Sequence, residues 1–526
     1  MEVDIGVIGA GHNGLACAAY LAREGLRVAV FERGEDIGGC TRTIDFPGAP
    51  GWRVNTCADV DIFFHAGPVP HELELHRYGF EPLGRDLAFC APLEDGRRLL
   101  IWHDEERTLR EIRRISPVDA ISYSAYLEYW REAFRRLGPI EEQAPPSAED
   151  LIDALGGDGW ATEFYELLIS PPQSFARSWF QSDVMRGFMA WHAALYQVPP
   201  DEPGSGLGLG HLAGCVLTGI TRPRGGIGAL CGALERCLTE AGGTVRRQSP
   251  VCEVQVSGGR VDGLKLADGE RVGIKRAVVS SIDARRVFGH LVDERALSGP
   301  ERSAVQRITV NNVGLMRVSL ALGGLPAFRH ADGSAAPPDD EVAKSSFMLD
   351  ADSWEKVQTQ WNYVRNGELS PIANNMWIGI PTAMDPGLAP AGAHVVSFAE
   401  YVPYRLREGS WESRREEAAN RVIDCWSRIA PDTRRQIKAV WIQTPEDLER
   451  ETGNINGNPF HIDQTFHQMF GMRPTRQLSG YRTPIKGLYL SGSGTHPGGG
   501  VTGLPGRNAA RIVLEDLGPA QSGGRS

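Results

Sequence analysis

Three glycine-punctuated stretches predict an α/β fold in which a Rossmann-like dinucleotide-binding domain, assembled from separated segments, is interleaved with a second, α+β domain. The first, "VDIGVIGAGHNGLACAAYLAREGLRVAVFER" at residues 3–33, has the order strand, turn, helix, strand. The second, residues 221–281, sets a helix before short strands separated by turn signals. The third, "GLYLSGSGTHPGGGVTGLPGRNAARIVL" at residues 487–514, repeats strand, glycine turn and helix near the other end of the chain.

In the first stretch the apolar run Ile5, Val7, Ile8 ends in Gly9, Gly11 and Gly14, a G-x-G-x-x-G that opens an amphipathic segment from Leu15 to Glu24. A second strand, Val28 to Phe31, ends in Glu32, eighteen residues beyond Gly14. A lone G-x-G-x-x-G is weak, since many glycine turns match it. With strand, helix and acid in register it predicts a dinucleotide site: glycines admit a pyrophosphate to the helix N-terminus, where free N–H groups and the helix dipole favour an anion, and Glu32 accepts from ribose hydroxyls.

Residues 33–43, "RGEDIGGCTRT", point to the kind of dinucleotide. The doublet Gly38-Gly39 follows Glu32 closely and leads into Cys40, Thr41, Arg42 and Thr43, and in flavoproteins that bind FAD in an extended form such a doublet lets the chain pass beside the pyrophosphate. This segment resembles the FAD-binding start of the phytoene desaturase and amine oxidase superfamily. The resemblance implies FAD as cofactor, held by Gly9, Gly11, Asn13, Gly14, Glu32, Arg33, Gly38, Gly39, Thr41 and Arg42. In that superfamily an arginine usually follows the doublet; here it is Cys40, so Arg42 is expected to serve the phosphates instead. The fold class that follows is α/β, a Rossmann-like FAD-binding domain of the glutathione reductase/amine oxidase type interleaved with an α+β substrate domain.

The middle stretch carries a helix with apolar Leu230, Leu234 and Leu238, then strands around Val251–Val256, Val261–Leu266 and Ala277–Val279, divided by "SGGR" and "ADGE". Pattern alone allows an ordinary hairpin. The resemblance makes it a return to the nucleotide domain, with Val251 against the adenine. The expected segments are 1–100, 221–285 and 431–515 for the FAD-binding domain, 101–220 and 286–430 for the substrate domain, and a loose tail at 516–526.

The first insertion is helical in period and rich in aromatics, among them Tyr123, Tyr126, Tyr129, Trp130, Trp160, Phe164, Tyr165, Trp179, Phe180, Phe188, Trp191 and Tyr196. Core is the expectation for any one of them, cavity wall the alternative. "GLGLGHLAGCVLTGI", residues 206–220, is apolar, glycine-broken and carries His211; it reads as a buried loop or short helix near a ligand, with shallow peripheral membrane contact as the second reading. The second insertion holds strand-like runs, "VGLMRVSLAL" and "NNMWIGIP".

The C-terminal glycines cannot make a second nucleotide domain, because no second strand and acid follow them. They are expected to meet the flavin end of the first site through Gly492, Ser493, Gly499, Gly500, Val501 and Thr502, with the helix N-terminus favouring negative charge there. Residues 491–503 resemble the closing motif of the bacterial-type phytoene desaturases. Together with "GHNGLACAAYLAREG", "HELELHRYGFE", "GNINGNPFHIDQ" and "RPTRQLSGYRTPIKGLYLSGSGTHPGGG" they are similar to the pyridine nucleotide-disulphide oxidoreductase domain-containing protein 2 subgroup. Amine oxidases usually carry a glutamate after the glycine of this turn, whereas Ser493 follows Gly492 here, which disfavours amine oxidation.

The resemblance implies a dehydrogenase or desaturase that takes a hydride and a proton from an apolar or cyclic small molecule. Electrons are expected to leave for oxygen, a quinone or a carrier protein. A saturase or isomerase is chemically close; a flavin-dependent amine or amino-acid oxidase and a non-catalytic FAD-binding regulatory protein are the alternatives. His496 is either a base or substrate donor, or a pin for its turn; His211 is the second catalytic candidate, His461 a weaker one, and His12 is expected to line the phosphate entrance.

Composition sets the bounds. Glycine, 62 of 526 residues, exceeds the usual ~7%, which points to tight turns and close backbone approach. A net charge of −11 without a basic block argues against a nucleic-acid partner. Nine cysteines with no C-x-x-C, no leader pattern before residue 3 and no run of about 18 apolar residues suggest a reducing, cytoplasmic setting. No histidine–cysteine spacing suits a metal, and no G-x-S-x-G elbow suits hydrolysis.

Overall fold

The computed structural model describes residues 1–329, 340–373 and 376–518; residues 519–526 of the expected tail and Asn374 and Asn375 of the second strand run lie outside these. The chain opens with β1 (Glu2–Ile8), α1 (His12–Arg23) and β2 (Val28–Phe31), then a hairpin of β3 (Thr43–Asp45) and β4 (Arg53–Asn55). It continues through β5 (Leu87–Pro92), β6 (Arg98–Trp102), α2 (Pro117–Glu141), α3 (Asp183–Ala193), α4 (Gly210–Thr218) and α5 (Gly228–Glu240). Next are β7 (Thr244–Arg246), β8 (Val251–Ser257), β9 (Arg260–Leu266), β10 (Arg271–Ser280), β11 (Val313–Leu322), β12 (Ser346–Phe347) and β13 (Met376–Gly379). β14 (His394–Pro403), β15 (Ile437–Gln443), β16 (Leu488–Leu490) and α6 (Leu504–Leu517) close it.

The first seven-stranded sheet runs β8-β9-β10-β1-β2-β7, with β16 also beside β10. Strands β7, β2, β1, β10 and β16 are parallel, and β8-β9-β10 is an antiparallel meander. Parallel strands need cover on both faces. Helices α1, α5 and α6 bury one face around Val7, Leu15, Leu234 and Val513, while Phe31, Leu264, Val278 and Phe288 fill the other. α6 can lie on α1 only because residue 506 is glycine: a Cβ there would stand 2.1 Å from the carbonyl oxygen of Asn13. This helix begins at Leu504, not Thr502, since Gly503 turns the backbone with φ of 72° and the Thr502 hydroxyl accepts the Leu504 N–H at 3.2 Å.

The second seven-stranded sheet runs β15-β11-β14-β13-β12-β5-β6, and every residue of β11 is buried. Its outer strands come from segments that the sequence assigns to the other domain. β5 pairs in parallel with β12, Phe89 opposite Ser346, and β15 pairs with β11, Gln443 opposite Arg317. Such membership depends on partners more than a hundred residues away, which local pattern does not carry. The helices of 101–220 pack as a third layer around Tyr126, Trp130, Phe164 and Trp191, all at most 1% exposed.

Candidate active site

The nucleotide end is a groove of about 90 Å³ at the N-terminus of α1. Gly9 adopts a φ of 92° and donates its N–H to Phe31 O at 2.9 Å, turning the chain from β1 into the helix. A Cβ on Gly14 would stand 2.2 Å from Gly9 O, so the third glycine serves helix–strand packing and lies behind the groove. Gly38 donates to Ala10 O at 2.8 Å, which lays the doublet against the first loop. Glu32 accepts the Ala10 N–H at 2.9 Å on one oxygen and the Gly34 N–H at 2.8 Å on the other. The first turn of α1 has no acidic residue and its N-cap, Gly11, has no side-chain cap. Its free N–H groups thus remain for an anion.

Gly9, Gly11, Asn13, Glu32, Gly38, Gly39, Arg42 and Ser493 all line this groove. A phosphate-bearing group fits it: a Cβ at Gly11 would meet nothing nearer than 4.0 Å, leaving open space beside the loop. Buried His12 Nε2, Asn13 Oδ1 and His461 Nδ1 also have no partner among the described residues. Arg42 adds a cation, paired with Glu451 at 3.0 Å.

Three expected contacts lie elsewhere. Arg33 is exposed and donates to Arg450 O at 2.8 Å. Thr41 is fully buried, its hydroxyl donating to Gly38 O at 2.6 Å and touching Cys231 Sγ at 3.1 Å, so it braces the doublet from behind. Val251 heads β8 two residues after Ser249, whose N–H donates to Glu32 O at 2.8 Å, but it does not line the groove.

The groove continues into a central cavity of about 180 Å³ through shared walls at His12, Cys40, Pro459 and Ser493. Tyr196, His211, Trp377, Tyr401 and Phe460 make it aromatic, and Gly500 and Val501 of the C-terminal turn close it. Val501 is held at φ of 57°, a conformation that costs a β-branched residue roughly 1–3 kcal/mol. Phe63 and Tyr196 join this cavity to a larger one of about 360 Å³, lined also by Trp130, Phe134, Gly499 and Thr502. Gly492 faces neither; a Cβ there would be 2.5 Å from Ser281 O, so it lets the turn pack on the first sheet.

Two polar features stand out in these walls. Asp59, Arg222 and Arg317 form a buried cluster, with Arg222 at 2.8 Å and Arg317 at 3.3 Å from the carboxylate. Burial opposes ionisation of Asp59, but the Arg222 and Arg317 guanidiniums outweigh it and hold the carboxyl below the usual range. Glu141 lines the larger cavity at the last position of α2, where the helix dipole disfavours negative charge. Burial, with the Glu142 charge next to it, pushes its carboxyl up to about 7.

The histidines divide. His211 lines the central cavity, its Nδ1 sharing a hydrogen bond with His192 Nδ1 at 3.0 Å; burial pushes it down to about 3. His12 lines both spaces, and His461 lines the groove. His496 lines neither the groove nor the two cavities. It is 1% exposed, its Nε2 lies 2.9 Å from Ile140 O, and its own carbonyl accepts from Tyr481 Oη at 2.8 Å. The geometry is that of a pin for the turn, one of the two readings the sequence left open.

Sequence reasoning missed Asp59, Glu141, Arg317, Tyr401 and Arg473. Arg473 is fully buried and donates to the carbonyls of Phe460, Asp463, Gln468 and Ser493, tying the turn to the segment before it. The only signal was that it falls in "RPTRQ", one of the family-like stretches.

The NAD(P)-binding Rossmann-like domain family matches residues 7–69. The chain is 32% identical to pyridine nucleotide-disulfide oxidoreductase domain-containing protein 2 of Rattus norvegicus, over 98% of this chain and 94% of that protein. It is 29% identical to one of the limonene dehydrogenase subunits of Castellaniella defragrans, over 98% and 95%. It is 25% identical to the lycopene-forming phytoene desaturase of Pseudescherichia vulneris, over 97% and 99%. A putrescine oxidase redesigned in its cofactor binding shares the fold, with a TM-score of 0.63 at 13% identity over 98% and 99%.

Proposed function

The chain belongs to the family of pyridine nucleotide-disulfide oxidoreductase domain-containing protein 2, within the phytoene desaturase-like FAD-dependent oxidoreductases, and from that premise we propose that it forms a double bond in a largely apolar or cyclic small molecule. It is an FAD-dependent oxidoreductase. The observation that carries the finer reading is the continuity of the phosphate-type groove with two aromatic cavities through His12, Cys40, Phe63, Tyr196 and Ser493.

Gly9, Gly11, Asn13, Glu32, Gly38, Gly39 and Arg42 would hold the nucleotide, and Ser493, Gly500 and Val501 the flavin end. When bound, FAD supplies a two-electron acceptor for a hydride. Tyr196, Trp377, Tyr401 and Phe460 exclude water and orient an apolar substrate. Glu141, poised near neutrality, takes the proton from the adjoining carbon. Electrons then leave for oxygen, a quinone or a carrier protein. The first sheet carries the nucleotide; the second sheet and the helices of 101–220 supply the cavity walls.

One observation favours amine oxidation as a second reading: the Glu141 carboxyl, which forms no ion pair among the described residues, stands in an aromatic-walled cavity and also suits a cationic amine. Anaerobic incubation of the FAD-loaded protein with cyclic and linear terpenes, then with amines, separates the two. Bleaching of the flavin together with a product lighter by two hydrogens is expected from a terpene. Bleaching by amines alone, with peroxide released on admitting air, overturns desaturation.

A further inference from the structure

Cys40 and Cys57 both line the central cavity, and Cys40 lines the nucleotide groove as well. Their side chains pack in one apolar cluster with Leu315 and Leu448. Backbone bonds fix the two segments across the pair: Ala58 N–H donates to Cys40 O at 3.0 Å, and Thr56 N–H to Arg42 O at 3.0 Å. Asn454 Nδ2 donates to Cys40 Sγ at 3.3 Å, and Arg317 Nη1 to Cys57 O at 2.7 Å.

The surroundings make the two sulfurs unequal. The neighbouring Cys40 side chain lowers the proton affinity of Cys57, with the Arg317 and Arg42 guanidiniums adding to it against burial; Cys57 and burial raise that of Cys40. A nucleophilic thiolate beside a thiol that keeps its proton is the arrangement of a resolving pair.

We propose that Cys40 and Cys57 are a redox-active dithiol that takes a hydroperoxide as its oxidant and closes to a disulfide in the wall shared by the groove and the central cavity. The Cys57 thiolate attacks one peroxide oxygen, the O–O bond breaks, and the leaving oxygen departs protonated as water or an alcohol. Cys57 is then a sulfenic acid. The Cys40 sulfur attacks it, the S–S bond forms, and the hydroxyl leaves as water with the Cys40 proton. With hydrogen peroxide, two thiols and one peroxide give one disulfide and two waters. A dithiol reductant reverses it by exchange.

The test needs no substrate, so its failure leaves the desaturation reading untouched. The FAD-loaded protein is treated with rising hydrogen peroxide, free thiols are alkylated, and peptides are mapped by mass spectrometry with and without dithiothreitol. A Cys40–Cys57 cross-link is expected, forming about tenfold faster than oxidation of the exposed Cys252 and reversed by the reductant. In Cys40→Ser, Cys57 is expected to accumulate a sulfenic acid that dimedone traps. Both thiols remaining alkylatable once Cys252 is oxidised overturns the proposal, as does a cross-link that appears only after unfolding. The peptide map of the unsubstituted protein decides the question if Cys40→Ser does not fold.

Discussion

The imidazole Nε2 of His496 lies 2.9 Å from the carbonyl oxygen of Ile140, one residue before Glu141. This bond ties the C-terminal glycine turn to the end of α2, so the wall that closes the central cavity and the carboxylate in the larger one are positioned together. Because a carbonyl can only accept, Nε2 must carry a proton in the neutral ring.

His496→Ala leaves the Ile140 carbonyl buried and unpaired, a cost of about 1–3 kcal/mol that chemical denaturation can read. Burial pushes the ring down to about 4 from an ordinary 6.5. The folded protein therefore binds fewer protons there than the unfolded chain, and stability falls as pH drops through the window from 6.5 to about 4. His496→Gln, which can donate to the same carbonyl, is expected to restore much of the stability at pH 7.5 and to flatten this acid limb. A stable His496→Ala variant with a shifted rate profile would return the residue to catalysis.

Glu141→Gln is expected to act in the opposite pH direction. With its carboxyl raised to about 7, above the ordinary 4.5, the folded state binds more protons and loses stability as pH rises through that interval. The glutamine variant should thus melt higher than the parent at pH 8 and show little difference at pH 4. In turnover, the parent rate should climb as pH passes 7, and that limb should be absent in the variant.

Glu32→Ala removes the acceptor for both Ala10 and Gly34 N–H. A fluorescence titration is expected to show at least about tenfold weaker FAD binding, some 1.4 kcal/mol, with no change in the helices of 101–220. Unchanged affinity would place the ribose elsewhere.

Gly506→Ala drives a Cβ to 2.1 Å from Asn13 O and must push α6 from α1. A destabilisation of about 1–3 kcal/mol and weaker FAD retention are expected. Gly138→Ala, in α2 where a Cβ meets nothing within 4 Å, is the control and should be neutral or stabilising by up to about 1 kcal/mol.

The readable parts of this chain are those in which physics acts over a few residues. Val28 to Phe31, Leu488 to Leu490 and Val313 to Leu322 were legible as strands because apolar runs bounded by turns have few alternatives. Of the twelve aromatics singled out in the first insertion, Trp130 and Tyr196 line cavities. Period 3.6 shows that a face is buried, and says nothing about whether protein or an empty space covers it.

By itself the sequence determined a Rossmann-like nucleotide fold, its glycine turns and the acid that caps them, because strand, turn, helix and Glu32 interact within thirty-odd neighbouring residues. Only the tertiary structure decided that β5 and β15 extend the second sheet, that His496 Nε2 meets the Ile140 carbonyl, and that Glu141, Cys40 and Cys57 stand in the cavity walls. Asp59 meets Arg222 and Arg317 across gaps of more than a hundred residues. Which way such a side chain points is set by packing between distant elements, and no local periodicity records it.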